Sequence, residues 1–365
     1  MRNVTLIRGA RQLLTLRGPS GPRRGTDLRN LGIIQDGAVL VADGLIVEVG
    51  PSRRLENLAL ARGADEIDAT GCVVLPGFVD SHVRLVSGPV HDLSPRALKT
   101  LALRVVDEAV RCGTTALEAK SGVGVTEAEE MKILRVHAAL RELPLTLVST
   151  FFARDVTAGF SERFLPILRR RKLADFAELG CEAEARHFLQ LARELGLGVK
   201  VGAGAIALAT SIGAVCVDDV VEATVRDAML LAQSETIASM SPGMAFAARA
   251  ENYAPARLLI DSGAAVALGS GFHAPNMQTA IALACHAMNM TAAEAIAAAT
   301  INGAHAMGRA GSIGSIEAGK SADLAILGVP DYRELPYHFG VNLVNLVMIR
   351  GTVLVERSEV KWPAL

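Results

Sequence analysis

The sequence predicts an α/β protein, a (β/α)8 TIM-type barrel carrying a small β-sandwich domain built from both chain ends. Three observations predict it. The middle of the chain alternates apolar runs of strand length with amphipathic helical patterns, eight times in about 200 residues, the size of such a barrel. Both ends instead show β-type alternation punctuated by tight-turn dipeptides. No linker rich in Pro, Gly or Ser and no internal repeat separates the parts, so the ends are expected to meet beside the barrel.

Composition sets the outer bounds. The chain has 365 residues, of which half are apolar and 21% charged, enough for a sizeable core. Thirty-seven Lys and Arg face 38 Asp and Glu, a formal charge of −1 that lacks the basic footprint of a nucleic-acid binder. Five cysteines (Cys72, Cys112, Cys181, Cys216 and Cys285) are widely spaced without a Cys-x-x-Cys pair, the pattern of a reduced, cytoplasmic protein. A second charge, Arg8, arrives before any apolar run long enough for a signal peptide. The longest stretch without Asp, Glu, Lys or Arg, residues 262–293, contains two histidines, two asparagines and a proline, and reads as buried core rather than a membrane span.

Taken in order, residues 39–49 hold two β-rich pieces around Asp43-Gly44, a hairpin signal. Strands are expected at 73–83, 115–121, 145–155, 174–181, 197–204, 214–219, 235–241 and 264–271, with helices at 94–111, 127–141, 182–195 and 221–233 between them. Continuous apolar strands joined by helices indicate buried parallel strands with right-handed crossovers. An open doubly wound sheet is the alternative, weakened because no Gly-x-Gly-x-x-Gly follows the first strand. Residues 323–327, 343–349 and 353–355 return to β patterning, with Arg350-Gly351 as a turn. The expected division is residues 1–72 with 320–365 in the composite β domain and residues 73–319 in the barrel.

Such barrels place reactive groups at the C-terminal ends of their strands. Those ends read Asp80-Ser81-His82-Val83-Arg84, Glu118-Ala119-Lys120-Ser121-Gly122, Phe152-Ala153-Arg154-Asp155, Gly202-Ala203-Gly204-Ala205, Asp218-Asp219 and Ser270-Gly271-Phe272-His273. Glu118 and Lys120 share one face of their strand and are expected to form a structural ion pair inside the barrel. His82 is expected to be a hydrogen-bonded core histidine, His137 and His187 surface residues, and His286 packed. His91 and His273 are the other histidines expected near the mouth. Arg169-Arg170-Arg171-Lys172 reads as a solvated helix end, where cations complement the macrodipole.

The run Leu75-Pro76-Gly77-Phe78-Val79-Asp80-Ser81-His82, the segment Glu118-Ala119-Lys120-Ser121-Gly122, Gly314-Ser315-Ile316-Glu317-Ala318-Gly319-Lys320 and above all Asp331-Tyr332-Arg333-Glu334-Leu335-Pro336-Tyr337-His338-Phe339-Gly340 carry a resemblance. Over nearly its full length the chain is similar to the imidazolonepropionases of the amidohydrolase superfamily. The resemblance implies metal-assisted hydrolysis of a cyclic amide, imidazolone propionate, during histidine degradation. A divalent metal held by imidazoles and carboxylates lowers the pKa of bound water to about 7, and a nearby carboxylate shuttles protons.

Laid on that pattern, the ligand set is broken. Of the first strand's His-x-His only His82 remains, and Arg84 takes the second place. Gly202 stands for a ligand histidine, Gly204 for an aspartate, Ala205 for the proton shuttle, Asp219 for the sixth-strand histidine and Gly271 for the eighth-strand aspartate. Asp155 aligns with a carbonyl-polarising histidine and Val123 with a pocket tyrosine. A catalytic zinc needs about three protein ligands and an open position, so the expectation is a pseudoenzyme with no cofactor. The glycines and alanine of 202–205 are expected to fill space that an ion and its ligands vacated.

The alternative is an active hydrolase of cyclic amides or other non-peptide C–N bonds. It would act through a changed or metal-free site, with Arg84, Asp155, Asp219 and His273 as candidates. The candidate pocket residues are His82, Arg84, Lys120, Asp155, Asp219 and His273, and a relocated set of His82, Asp219, Asp155 and His273 would suit zinc or iron. A small-molecule ligand is expected in either case, without nucleic acid or membrane. The resemblance further implies a homodimer, or a heteromer with a related subunit.

Overall fold

The computed structural model describes residues 4–88, 90–124, 126–154, 159–180, 185–202, 204–271, 275–357 and 359–362. Eight parallel strands form one sheet in chain order: Phe78–Val83, Thr114–Lys120, Thr146–Ala153, Phe176–Leu179, Gly198–Val201, Cys216–Asp218, Ile237–Met240 and Val266–Leu268. A parallel bridge between Val83 and Gly271 joins the last strand's exit to the first, with the Gly271 amide donating to the His82 carbonyl at 2.9 Å. The sheet thereby closes, and the doubly wound alternative falls.

The intervening segments are helices for the reasons their sequences suggest. Pro95–Arg111 starts at Ser94, whose hydroxyl accepts from the Ala97 amide at 3.1 Å, with Pro95 at the first helical position. It buries Leu98, Ala102, Val106, Ala109 and Val110 against the barrel. Glu127–Leu140 opens with a capping box between Thr126 and Glu129.

Both chain ends build a second, nine-stranded mixed sheet. Its N-terminal members are Val4–Leu14, Ile33–Ala42, Leu45–Pro51, Asp65–Asp68 and Val73–Pro76; the C-terminal ones are Leu324–Leu327, Val344–Ile349, Thr352–Glu356 and Glu359–Val360. Asp43 and Gly44 (φ +50° and +82°) make the left-handed hairpin turn their dipeptide suggests, and Arg350 and Gly351 (φ +49° and +74°) repeat it. The hairpin strand is tied back to the far end of the chain: Ile46 donates to the Lys320 carbonyl at 2.9 Å and Gly319 to Ile46 at 2.8 Å. Ile7, Val39, Val74, Leu324, Ile326 and Met348, from both ends, share one buried cluster.

The run 73–83 is not one strand. Val73–Pro76 lies between Val4–Leu14 and Leu324–Leu327 in the mixed sheet, whereas Phe78–Val83 opens the barrel. The switch is at Gly77: its amide donates to the Asp323 carbonyl at 2.9 Å, and that of Phe78 to the Gly113 carbonyl at 2.9 Å. A Cβ at Gly77 would lie 2.7 Å from Thr115 Cβ. Both pieces are buried, so hydrophobic pattern alone does not reveal the change of sheet.

Candidate active site and its buried charge network

Alternation along the barrel strands turns single charged residues toward one another inside apolar runs. Strand two contributes Glu118 and Lys120, strand four Glu178, strand five Lys200, strand six Asp218 and strand one His82, all buried. Lys120 Nζ bonds Asp218 Oδ2 and lies 2.6 Å from Glu178 Oε2 and 3.9 Å from Glu118 Oε1. Lys200 Nζ bonds Glu118, which also accepts from Thr150 Oγ1 at 2.6 Å. His82 Nδ1 lies 3.1 Å from Asp218 Oδ2. Asp80 accepts from the Ser270 amide at 2.9 Å and the His82 amide at 3.1 Å, tying strand eight to strand one.

Three carboxylates and two ammonium groups therefore offset one another where water is excluded. Burial opposes the Lys120 charge, yet Asp218, Glu178 and Glu118 hold its pKa well above the ordinary lysine value. Burial likewise opposes the Asp218 charge, and Lys120 with His82 holds that carboxyl well below the usual range. Glu178 goes the other way: burial raises it to about 7 despite Lys120. Burial, reinforced by the nearby Lys120 charge, lowers His82 and favours a neutral ring. Burial pushes Asp80 up to about 6.

Near this network, Phe152 and Met244 pack against glycines at the strand ends. A Cβ on Gly202 would meet Phe152 Cε2 at 3.2 Å and Glu178 Oε1 at 3.3 Å. A Cβ on Gly180 would meet Phe152 Cζ at 2.8 Å, so this ring occupies the space above strands four and five. The Arg84 guanidinium stands 5.6 Å from the Phe152 ring centroid, a cation–π distance. Gly204 (φ +64°) leaves 2.7 Å between a hypothetical Cβ and the Asp219 carbonyl oxygen. Gly271 (φ +87°) leaves 2.5 Å to Met244 Cγ, so a methionine from the helix Pro242–Ala247 stands at the strand-eight position.

Of the residues singled out in the sequence, the structure brings His82 and Lys120 together through Asp218, with Arg84 over Phe152 beside them. Asp219 is exposed and lines a cavity beyond strand six; the carboxylate that meets His82 is its neighbour, Asp218. Asp155, His273 and Cys181 lie outside the described residues. Among the described residues no three His, Cys, Asp or Glu side chains form a group that could hold a metal ion.

Sequence reading missed Glu178 and Lys200. Their signal was a lone charge inside a four-residue apolar strand, Phe-Ala-Glu-Leu and Gly-Val-Lys-Val. It also missed Phe152 and Met244, which carry no local sign of their place.

Two histidines need correction. His137 is buried, not on the surface, with Nδ1 3.0 Å from Ser149 Oγ, because its helix turns that face onto strand three. His286 is exposed rather than packed, at the end of Met277–Ala287 with Nε2 3.0 Å from the Pro336 carbonyl. His187 is exposed beside Glu162, and His91 is exposed beside Asp92.

A closed eight-stranded parallel barrel, a companion sheet from both termini and polar groups converging at the strand ends define a (β/α)8-barrel protein with its candidate site at the C-terminal ends of the strands. Residues 73–354 match the profile of the Amidohydrolase family, and the chain belongs to that family. Within it the chain is imidazolonepropionase-like. It is 32% identical to the imidazolonepropionase of Alkaliphilus metalliredigens over 416 aligned positions, covering 97% of this chain and 99% of that one. To the imidazolonepropionase of Symbiobacterium thermophilum it is 35% identical over 425 positions, covering 99% and 100%. These alignments are longer than the 365-residue chain, so the relatives carry segments that it lacks. Among solved structures, a triazine hydrolase variant superposes with a TM-score of 0.77 at 18% identity, covering 98% of this chain and 96% of that one, a likeness of fold. No helix among the described residues is long and apolar enough to cross a membrane.

Proposed function

We propose that this imidazolonepropionase-like chain no longer hydrolyses a cyclic amide and acts by binding, as a cytoplasmic homodimer or as a heteromer with an active relative. One observation carries the reading. Where the resemblance calls for metal ligands, Gly202 and Gly271 have no side chain and Phe152 and Met244 stand against them, while the nearby Asp218 is already bonded to Lys120. The zinc or iron that the family implies does not fit the described donor set: His82 and Asp218 are engaged with each other and Asp218 is neutralised by Lys120. Without three ligands and an open coordination position, the described residues offer no metal-assisted route to a nucleophilic water near neutral pH.

A second reading has one observation in its favour. Glu178, with a pKa near 7, keeps Oε1 without a hydrogen-bond partner among the described residues, as a general base for metal-free hydrolysis would. Arg84, Asp155, Asp219 and His273 would be its other candidates. Burial of the Glu178 side chain argues against access by a substrate.

The test is metal analysis of protein purified without chelators, together with an assay of imidazolone propionate turnover. The expected result is far less than one ion per chain and no turnover. A stoichiometric transition ion with turnover overturns the reading, and turnover without metal supports the second.

A further inference from the structure

At the rim between strands six and seven lies a cavity of about 220 Å3. Its walls are Met240, Met244, Met288 and Tyr253, with Val220 and Pro242. Methionine thioethers are polarisable and adaptable, and they mould to flat or irregular apolar ligands. Around 150 Å3 suffices to enclose a benzene ring, so this cavity admits one ring and a short substituent. It falls below the roughly 300–1,000 Å3 of sites for larger ligands.

The charge on the lining is one-sided. Among the described residues Asp219 is the sole charged one in the lining, and none of them forms a salt bridge with it. Successive residues split two tasks here: Asp218 closes the internal network, while Asp219, in a left-handed backbone conformation (φ +58°), stands at the cavity. The Asp219 main chain is pinned by the close approach of Gly204, whose amide donates to the Asp218 carbonyl at 3.0 Å, so its position is set by the barrel rather than by a free loop.

We infer that this rim cavity is a binding site for a small apolar molecule bearing one cationic head, an aryl- or alkyl-ammonium. The methionine walls take the apolar body and the Asp219 carboxylate takes the ammonium. Anionic ligands of the same shape are disfavoured, because no cation among the described lining residues offsets Asp219. The inference does not rest on the loss of hydrolysis, and either can fail alone.

The test uses the full chain labelled with 13C at the methionine methyls, titrated with benzylammonium and, separately, with benzoate. The methyl signals of Met240, Met244 and Met288 are expected to shift saturably with benzylammonium and not with benzoate. Asp219→Asn should weaken the interaction on the order of tenfold, the worth of one charge-assisted hydrogen bond. Ala248→Phe, at an exposed lining position, should abolish it while circular dichroism shows a folded chain. Equal response to both probes, no response to either, or unchanged affinity in Asp219→Asn overturns the assignment.

Discussion

His137 and Glu178 are both buried and both carry shifted pKa values, with opposite consequences for stability. Burial pushes His137 down to about 3, so below the ordinary histidine pKa of about 6.5 the unfolded chain takes up a proton that the folded chain refuses. Stability attributable to His137 is therefore lost as pH falls from 6.5. Urea denaturation should show the wild type losing about 2 kcal/mol more than His137→Gln between pH 7.5 and pH 5. Glu178, raised to about 7, works the other way: the folded chain keeps its proton where the unfolded chain releases it. Its contribution is present below pH 4.5 and lost as pH rises through 7, so Glu178→Gln should flatten the decline in stability across that window. Because the two slopes oppose each other between pH 5 and 6.5, the single variants separate them and the wild-type curve alone does not. At this scale His82 was legible from its place in a strand-end motif. Glu178 and Lys200 were not, because one charge in a short apolar strand identifies its partner only after the strands are side by side.

Among the elements, the strand-eight exit is closely packed. Gly271 bridges to Val83 with φ +87°, and Met244 from the preceding βα unit packs 2.5 Å from where its Cβ would be. Gly271→Asp therefore meets both a left-handed backbone and an overpacked neighbour. It is expected to cost about 2–3 kcal/mol in chemical denaturation, and adding Met244→Ala should recover part of that loss by relieving the crowding. An unchanged midpoint would show that methionine to be loosely placed. Element existence was readable throughout the barrel, since all eight apolar runs contain strands, but most strands are shorter than the pattern suggested. The run 214–219 reduced to Cys216–Asp218, for example, because Asp219 turns left-handed and leaves the ladder.

For the molecule as a whole, the two chain termini are bound into one sheet whose order places Val73–Pro76 between N- and C-terminal strands. That strand runs straight into the barrel through Gly77, so sheet and barrel share a continuous chain at their junction. Ending the chain before Val344 would strip Val344–Ile349 from Leu324–Leu327, exposing an apolar edge and the buried partners of Leu346 and Met348. Size-exclusion chromatography of that truncation is expected to show aggregate rather than a folded monomer or dimer; a soluble, fully folded species would show the barrel to be independent of the second sheet. The sequence alone determined the alternating β/α order, the hairpins at Asp43-Gly44 and Arg350-Gly351 and the family likeness, because periodicity, turn dipeptides and contiguous motifs are local properties. Only the tertiary structure decided that an ammonium sits at the barrel's centre and that a phenylalanine and a methionine stand where side chains are missing. Those contacts join residues from strands and loops far apart in the chain, and whether a gap is empty or filled depends on distances that no single segment encodes.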